Sequence, residues 1–400
     1  MNPNVDLVYF DAGGGHRAAA QALNDMLRRQ RRPWNVRLIN LMSVLDRRQR
    51  FRRLTGLAPE DLYNRRLAQG RTTGMGFELR LLQTLIRIGH GALVRRLEQH
   101  WRGSEPDLVV SLIPNFNRAM GAALARARPG VPFATVITDL ADLPPRFWIE
   151  PAVGQHVIAG TRRAVQQALD AGVPAQRVLP VSGMLLRPSF YEPLPADRAA
   201  ERRSCGLDPD RATAVVMYGG QGSPEMLQVA QALPDLQLVL MTGHNQALAE
   251  RLRALGGAAP RAVVGFTDAV PRWLHLADFF IGKPGPGAMS EALHLGLPVL
   301  TFDHSRTMPQ ERWNTRWVRE HGLGLVLGSV AELPQAVQTL VARLPEFRQR
   351  VRRLENRAAF EVPALLAELL HAGAAQRAGM AEGEAVPEWP ARLAWTEAAR

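Results

Sequence analysis

Four short segments carry residue types that bind anions or move protons. The first, Asp11-Ala12-Gly13-Gly14-Gly15-His16, follows the apolar run Val5–Phe10. Three glycines let a backbone approach a ligand at a helix start, where free N–H groups favour anionic oxygen. A histidine at that mouth, His16, is suited to take a proton from a hydroxyl. The plainer reading is a tight turn with an exposed histidine, and a Gly-rich turn alone does not choose between them. The pattern is not G-x-G-x-x-G and no acidic residue closes the second strand, which argues against a dinucleotide site. The second segment, Tyr218-Gly219-Gly220-Gln221-Gly222-Ser223, has the same physics: a nest of N–H groups and a helix dipole for a diphosphate. One such loop passes as a flexible connection; two equivalent loops, one in each half, are harder to dismiss.

The third segment is Gly282-Lys283-Pro284-Gly285-Pro286-Gly287, which opens a helix holding Glu291. A carboxylate one turn in can accept both hydroxyls of a ribose, and Lys283, the only lysine of the chain, can pair with phosphate. The plainer role for Glu291 is to offset the helix dipole. In the fourth, Pro309-Gln310-Glu311-Arg312-Trp313-Asn314, adjacent amide and carboxylate side chains suit the hydroxyls of a hexose; alone, it reads as a polar helix start. No H-E-x-x-H, C-x-x-C or G-x-x-x-x-G-K-[ST] occurs and no D-x-D stands ready to hold a divalent metal between phosphates, so the expectation is no bound metal and no Walker-type nucleotide site.

These segments need strands and helices to place them. Val5–Phe10, Val36–Asn40, Leu108–Leu112, Phe133–Thr138 and His156–Ala159 are strand-like runs with helical patterns between them. The alternation restarts with Ala214–Tyr218, Leu236–Met241, Ala262–Val264, Phe279–Ile281 and Pro298–Phe302. Strand–helix alternation of this kind predicts α/β architecture with two doubly wound parallel sheets. The expected organisation is a first domain over 1–187, a linker over 188–211, a second domain over 212–345, a C-terminal helix over 346–372 and a disordered tail over 373–400. Two such domains would present their strand carboxyl ends to a shared cleft, one substrate each.

At 400 residues the chain is long enough for two cores, and its single cysteine, Cys205, rules out a disulfide framework. No leader is recognisable, and no apolar run was judged long enough to span a bilayer. Charge is uneven. Residues 1–104 hold 19 Arg against 8 acids, whereas the rest hold 30 Lys or Arg against 29 acids. A basic helical insertion at 46–103, with apolar residues between its arginines, is the main source. Such a stretch fits an anionic bilayer surface better than nucleic acid, since lysine clusters and aromatic base platforms are lacking. An ordinary helix pair with its apolar face on the core is the competing reading.

Taken in order, the motifs resemble the monogalactosyldiacylglycerol synthase group of glycosyltransferases, which is related to the enzyme adding N-acetylglucosamine to the peptidoglycan lipid precursor. The resemblance runs over about residues 5–370. It rests on Asp11-Ala-Gly-Gly-Gly-His16-Arg17, Val136-Ile-Thr-Asp139-Leu140, Val181-Ser-Gly183, Tyr218-Gly-Gly-Gln-Gly222, Val264-Gly-Phe266-Thr-Asp268, Gly282-Lys-Pro-Gly-Pro-Gly287 with Glu291, and Gln310-Glu311 with Asn314. It implies the GT-B fold, a UDP-sugar donor (galactose or glucose), inversion without metal or cofactor, and a diacylglycerol or similar lipid acceptor at the inner face of the cell membrane. It further implies His16 as base, with Asp139 as its partner or substitute. Glu291 would hold the ribose and the Phe266 backbone the uracil. Gly220, Gln221 and Gly222 would face the diphosphate with Lys283, Gly285 and Gly287. Gln310, Glu311 and Asn314 would face the hexose, and Gly14, Gly15 and Asn115 the acceptor. Ile113-Pro114-Asn115-Phe116 departs from the expected His-Pro element, so the acceptor pocket is expected to differ. A UDP-sugar epimerase or hydrolase of the same fold, and a different lipid-linked acceptor, are the alternatives.

Overall fold

The computed structural model describes residues 2–11, 14–46, 75–305 and 307–382. The first half of the basic insertion (47–74) and the end of the tail (383–400) lie outside the described residues. The chain divides into two compact units. The first comprises the N-terminal residues to Arg187 together with the segment from Asn356 onward, and the second runs from Pro188 to Glu355.

Unit one holds β1 (Asn4–Tyr9), α1 (Gly15–Arg29), β2 (Asn35–Asn40), α2 (Leu41–Leu45), α3 (Met75–Ile88), α4 (His90–Ser104), β3 (Leu108–Ser111), α5 (Asn117–Ala127), β4 (Phe133–Val136), β5 (His156–Ala159), α6 (Arg162–Asp170) and β6 (Val178–Pro180). Its six strands are parallel in the order β2-β1-β3-β4-β5-β6. β1 is central and buried on both faces. Val5 and Leu7 meet Ala20, Leu23 and Leu27 of α1, while Val8 turns to Leu97 and Trp101 of α4. A parallel sheet covered on both sides reads as a near-continuous apolar run, which is why these strands were legible in the sequence. β6, three residues ending in Pro180, is an edge strand too short to announce itself.

Unit two holds α7 (Arg198–Ser204), β7 (Thr213–Met217), α8 (Glu225–Ala232), β8 (Gln237–Gly243), α9 (Gln246–Ala254), β9 (Arg261–Gly265), α10 (Val270–His275), β10 (Phe279–Gly282), α11 (Pro286–His294), β11 (Val299–Phe302), α12 (Arg312–His321), β12 (Gly324–Leu327), α13 (Leu333–Ala342) and α14 (Leu344–Val351). Its parallel sheet has the order β12-β11-β10-β7-β8-β9.

The structure departs from three expectations. The stretch 188–211 is part of unit two rather than a free connection. Arg198 and Arg202 from it, joined by Arg348, all reach the Asp278 carboxylate at 2.8–2.9 Å. Burial alone would raise the Asp278 pKa, but the arginines outweigh it and hold it below the usual carboxylate range. The expected single C-terminal helix is two, α14 and α15 (Ala358–Glu382), and α15 belongs to unit one. There Ala358, Val362, Leu366, Leu369 and Leu370 complete the core under α1. Glu361 accepts from the Ser182 N–H at 2.7 Å and its hydroxyl at 2.9 Å, and Arg377 pairs with Asp107 at 3.0 Å. Finally, Ala358–Gly379 is long and apolar enough to cross a membrane. Its apolar side lies in the unit-one core, as in a soluble core helix.

Candidate functional site

In an open α/β sheet the ligand site lies at the carboxyl ends of the strands, where the strand order reverses. In unit one that point is between β1 and β3; in unit two it is between β7 and β10. The first three sequence motifs fall at these points: His16 follows β1, the Gly219–Gly222 loop follows β7, and Lys283–Gly287 follows β10.

In unit one, Gly14 caps α1 with a left-handed backbone (φ 79°), a conformation that favours glycine. A side chain added at Gly15 would meet nothing within 4 Å, so packing does not demand that glycine. His16, the second residue of α1, is half-buried. Its Nδ1 lies 3.2 Å from the Thr138 hydroxyl, and its ring stands edge-on to Trp148 with centroids 5.7 Å apart. Burial pushes its pKa down to about 4, against the opposing pull of the Leu112 carbonyl. The ring is therefore neutral at pH 7 and able to accept a proton.

Asp139, proposed by sequence as the partner of His16, accepts instead from the Trp148 indole N–H at 2.9 Å. Thr138, its neighbour, is the side chain on the histidine, a role missed because a threonine after a strand has no sequence signature. Asp142 accepts the Trp148 and Arg146 backbone N–H groups at 2.7 and 3.1 Å, and burial raises its pKa to about 6. Asn115 has a left-handed backbone (φ 67°) and receives a 3.1 Å hydrogen bond from Gln83 of α3.

In unit two, Gly219 (φ 78°) and Gly222 (φ 60°) are both left-handed, whereas Gly220 is not. A side chain at Gly222 would meet the Thr242 carbonyl and Leu248, each at 2.9 Å. At Gly220 and at Gly287 it would meet nothing within 4 Å. Neither conformation nor packing demands glycine at Gly15, Gly220 or Gly287, and its absence of a side chain leaves the backbone open to an incoming group.

The third and fourth motifs are cross-tied. Lys283 Nζ donates to Glu311 at 2.8 Å, and the Asn314 amide donates to the Pro284 carbonyl at 2.7 Å. Glu311 and Asn314 are buried and Gln310 half-buried, its amide 3.6 Å from the Met308 sulfur. Lys283, expected on phosphate, therefore holds a carboxylate in this structure, and Asn314 braces the turn. An added side chain at Gly285 would approach Lys283 Cε at 3.2 Å. Glu291 sits half-buried in the second turn of α11. Phe266, beyond β9, is 60% exposed. Among the described residues no group of three or more His, Cys, Asp or Glu is placed to hold a metal ion.

No family model matches the chain. It is 28% identical over 352 residues to the "Probable monogalactosyldiacylglycerol synthase 2, chloroplastic" of Oryza sativa subsp. japonica, covering 80% of this chain and 70% of that protein. It is 26% identical over 355 residues to monogalactosyldiacylglycerol synthase 2 of Arabidopsis thaliana, covering 84% and 73%. Among solved structures, MurG of Acinetobacter baumannii covers 92% of this chain with TM-score 0.57 at 14% identity, all of that chain being matched. The glycosyltransferase SnogD from Streptomyces nogalater covers 92% with TM-score 0.53 at 17% identity, again over its full length. In fold the chain is a GT-B protein, and in sequence it is a relative of the monogalactosyldiacylglycerol synthases, the group its motifs resemble.

Proposed function

We propose that the chain is an inverting hexosyltransferase that moves galactose or glucose from a UDP-sugar to diacylglycerol or a similar lipid. The observation that carries this reading is the pair of open glycine loops at the two switch points, with a neutral histidine closing one of them. In this reading unit two holds the donor. Gly220, Gln221 and Gly222 offer N–H groups to the diphosphate, Glu291 takes the ribose, and Gln310 with Glu311 faces the hexose. Unit one supplies the acceptor side. His16 removes the proton from the acceptor hydroxyl, the freed oxygen attacks the anomeric carbon, and the bond to the diphosphate breaks, releasing UDP. The backbone N–H groups and helix N-terminus of the Gly219–Gly222 loop stabilise the charge that collects on the leaving group, so no metal or cofactor enters the scheme.

The lipid side is supported by α3. Leu81, Leu82, Leu85 and Ile88 are 43–79% exposed on this helix, which also carries Arg80 and Arg87. Its other side, with Leu79 and Ile86, packs on unit one. An amphipathic basic helix of this kind suits the interface of an anionic bilayer, which supports the reading of a peripheral protein at the inner face of the cell membrane. The synthase names of the sequence relatives favour transfer over epimerisation or hydrolysis.

The test is UDP release from UDP-galactose and UDP-glucose, with and without anionic vesicles containing diacylglycerol. Release dependent on diacylglycerol is the expected result and identifies the sugar. Release without acceptor would replace transfer by hydrolysis, and absence of release would overturn the donor assignment.

A further inference from the structure

A pair of exposed rings lies beside the diphosphate loop, and one of them belongs to no motif. His244 follows β8 and is exposed; its imidazole stacks on Phe266 with centroids 4.0 Å apart and planes 16° from parallel. Phe266 is 60% exposed although one of its faces is covered by this contact. Water gives no reason to keep an apolar ring so open. A flat ring with one face backed and one face free is the form that a planar π-system binds.

The backbone under His244 is fixed to the neighbouring loop. Its N–H donates to the Gly220 carbonyl at 2.9 Å, and the Asn245 amide donates to the Gln221 carbonyl at 3.3 Å. Gly243 is left-handed (φ 58°) and leaves no room for a Cβ against the Gly220 carbonyl. His244 thus joins the ends of three adjacent strands: through its backbone it touches the loop after β7, and through its ring the segment after β9.

We propose that His244 and Phe266 form a two-layer platform on which the nucleobase of the donor stacks, with His244 as the backing layer that sets the platform at a fixed distance from the diphosphate loop. This rests on the reading of the chain as a nucleotide-sugar enzyme. Stacking tolerates any base, so the platform supplies affinity and position, and the backbone after β9 is left to read the base edge.

Calorimetry of UDP and of pyrophosphate against wild type, His244→Ala, His244→Phe and Phe266→Ala tests it, with circular dichroism and melting to check each fold. Loss of a backing ring is expected to weaken UDP roughly 3–10-fold in His244→Ala. His244→Phe, which keeps a ring, should stay within about 2-fold of wild type, and Phe266→Ala should lose at least as much as His244→Ala. Pyrophosphate, having no base, should bind all four alike. Equal UDP affinity in wild type and His244→Ala would overturn the platform while leaving the donor reading intact. So would a parallel loss of pyrophosphate, which would make His244 part of the diphosphate loop. A wild type that binds pyrophosphate but gains nothing from the uridine of UDP would overturn the donor reading itself and the platform with it.

Discussion

The two units are built on the same plan, yet their candidate sites are organised in opposite ways. Each has six parallel strands and a glycine loop at its switch point. In unit one the histidine beside that loop is kept neutral, and the one charge pair there, Arg17 with Asp11, is exposed. Burial pulls His16 down to about 4 and lifts Asp142 to about 6, still mostly ionised at pH 7. In unit two the charges at the site stay and are paired, Lys283 with Glu311. Low-dielectric surroundings with uncharged, hydrogen-bonded groups suit proton transfer. Fixed charges and open N–H groups suit recognition of a charged, hydroxylated ligand. In the proposed function this contrast separates the chemistry of the acceptor from the binding of the donor.

That separation can be broken by mutation. The largest effect is expected from His16→Ala, which should lower turnover by about 10²–10⁴ while UDP affinity stays near wild type, since loss of a general base typically costs this much. Turnover and calorimetry on the same preparation decide it. In the wild type the acid limb of kcat/KM should lie near pH 4 rather than 6.5, following the depressed pKa of His16.

The next effect concerns stability. His156 is 6% exposed, and its folded pKa of about 4 lies below the unfolded value near 6.5. Unfolded protein therefore takes up the proton first as pH falls. The contribution of His156 is complete above pH 6.5 and is lost towards pH 4, at most about 3 kcal/mol. Asp142 acts with the opposite sign. Its contribution is present below pH 4 and lost as pH rises through 6. Urea unfolding at pH 4.5 and 7 should show His156→Gln with a markedly smaller pH difference than wild type; an unchanged difference would remove His156 from this role.

Glu291→Ala should weaken UDP roughly 10-fold or more, because a hydrogen bond to a charged group is worth about 1.5–3 kcal/mol. It should leave the pH profile of turnover unmoved, and an unchanged UDP affinity would show that the ribose lies elsewhere. The smallest effect belongs to Thr138→Val. Loss of one neutral hydrogen bond to His16 should reduce kcat roughly 3–10-fold without raising KM. Thr138→Ser should restore it, and a Thr138→Val enzyme with wild-type kcat would leave Asp139 as the residue to examine.

Strands buried on both faces and glycine loops at fixed places after them were legible in the sequence, because both impose residue types on consecutive positions. Relations between distant segments were not. Nothing in Lys283 or Glu311 alone announces that they pair, because they stand 28 positions apart and no pattern between them reports the contact. The same holds for Thr138 on His16, 122 positions away, and for His244 on Phe266. Arg198 and Arg202 sit in a proline-rich stretch that reads as a linker, and the buried Asp278 carboxylate that ties both of them down lies 76 or more positions further on. The edge strand β6 escaped for a simpler reason: three residues are too few for a periodicity.

The return of α15 to unit one has a consequence for biosynthesis. Among the described residues unit two is the single stretch Pro188–Glu355, so all of that stretch has emerged from the ribosome by Glu355. Unit one begins first but is completed last. Its β-sheet waits, with the apolar surface beneath α1 uncovered, until Val362, Leu366 and Leu369 arrive after unit two. A nascent chain in that interval exposes a hydrophobic face for the whole time taken to make unit two, and it is there that a chaperone would find its client.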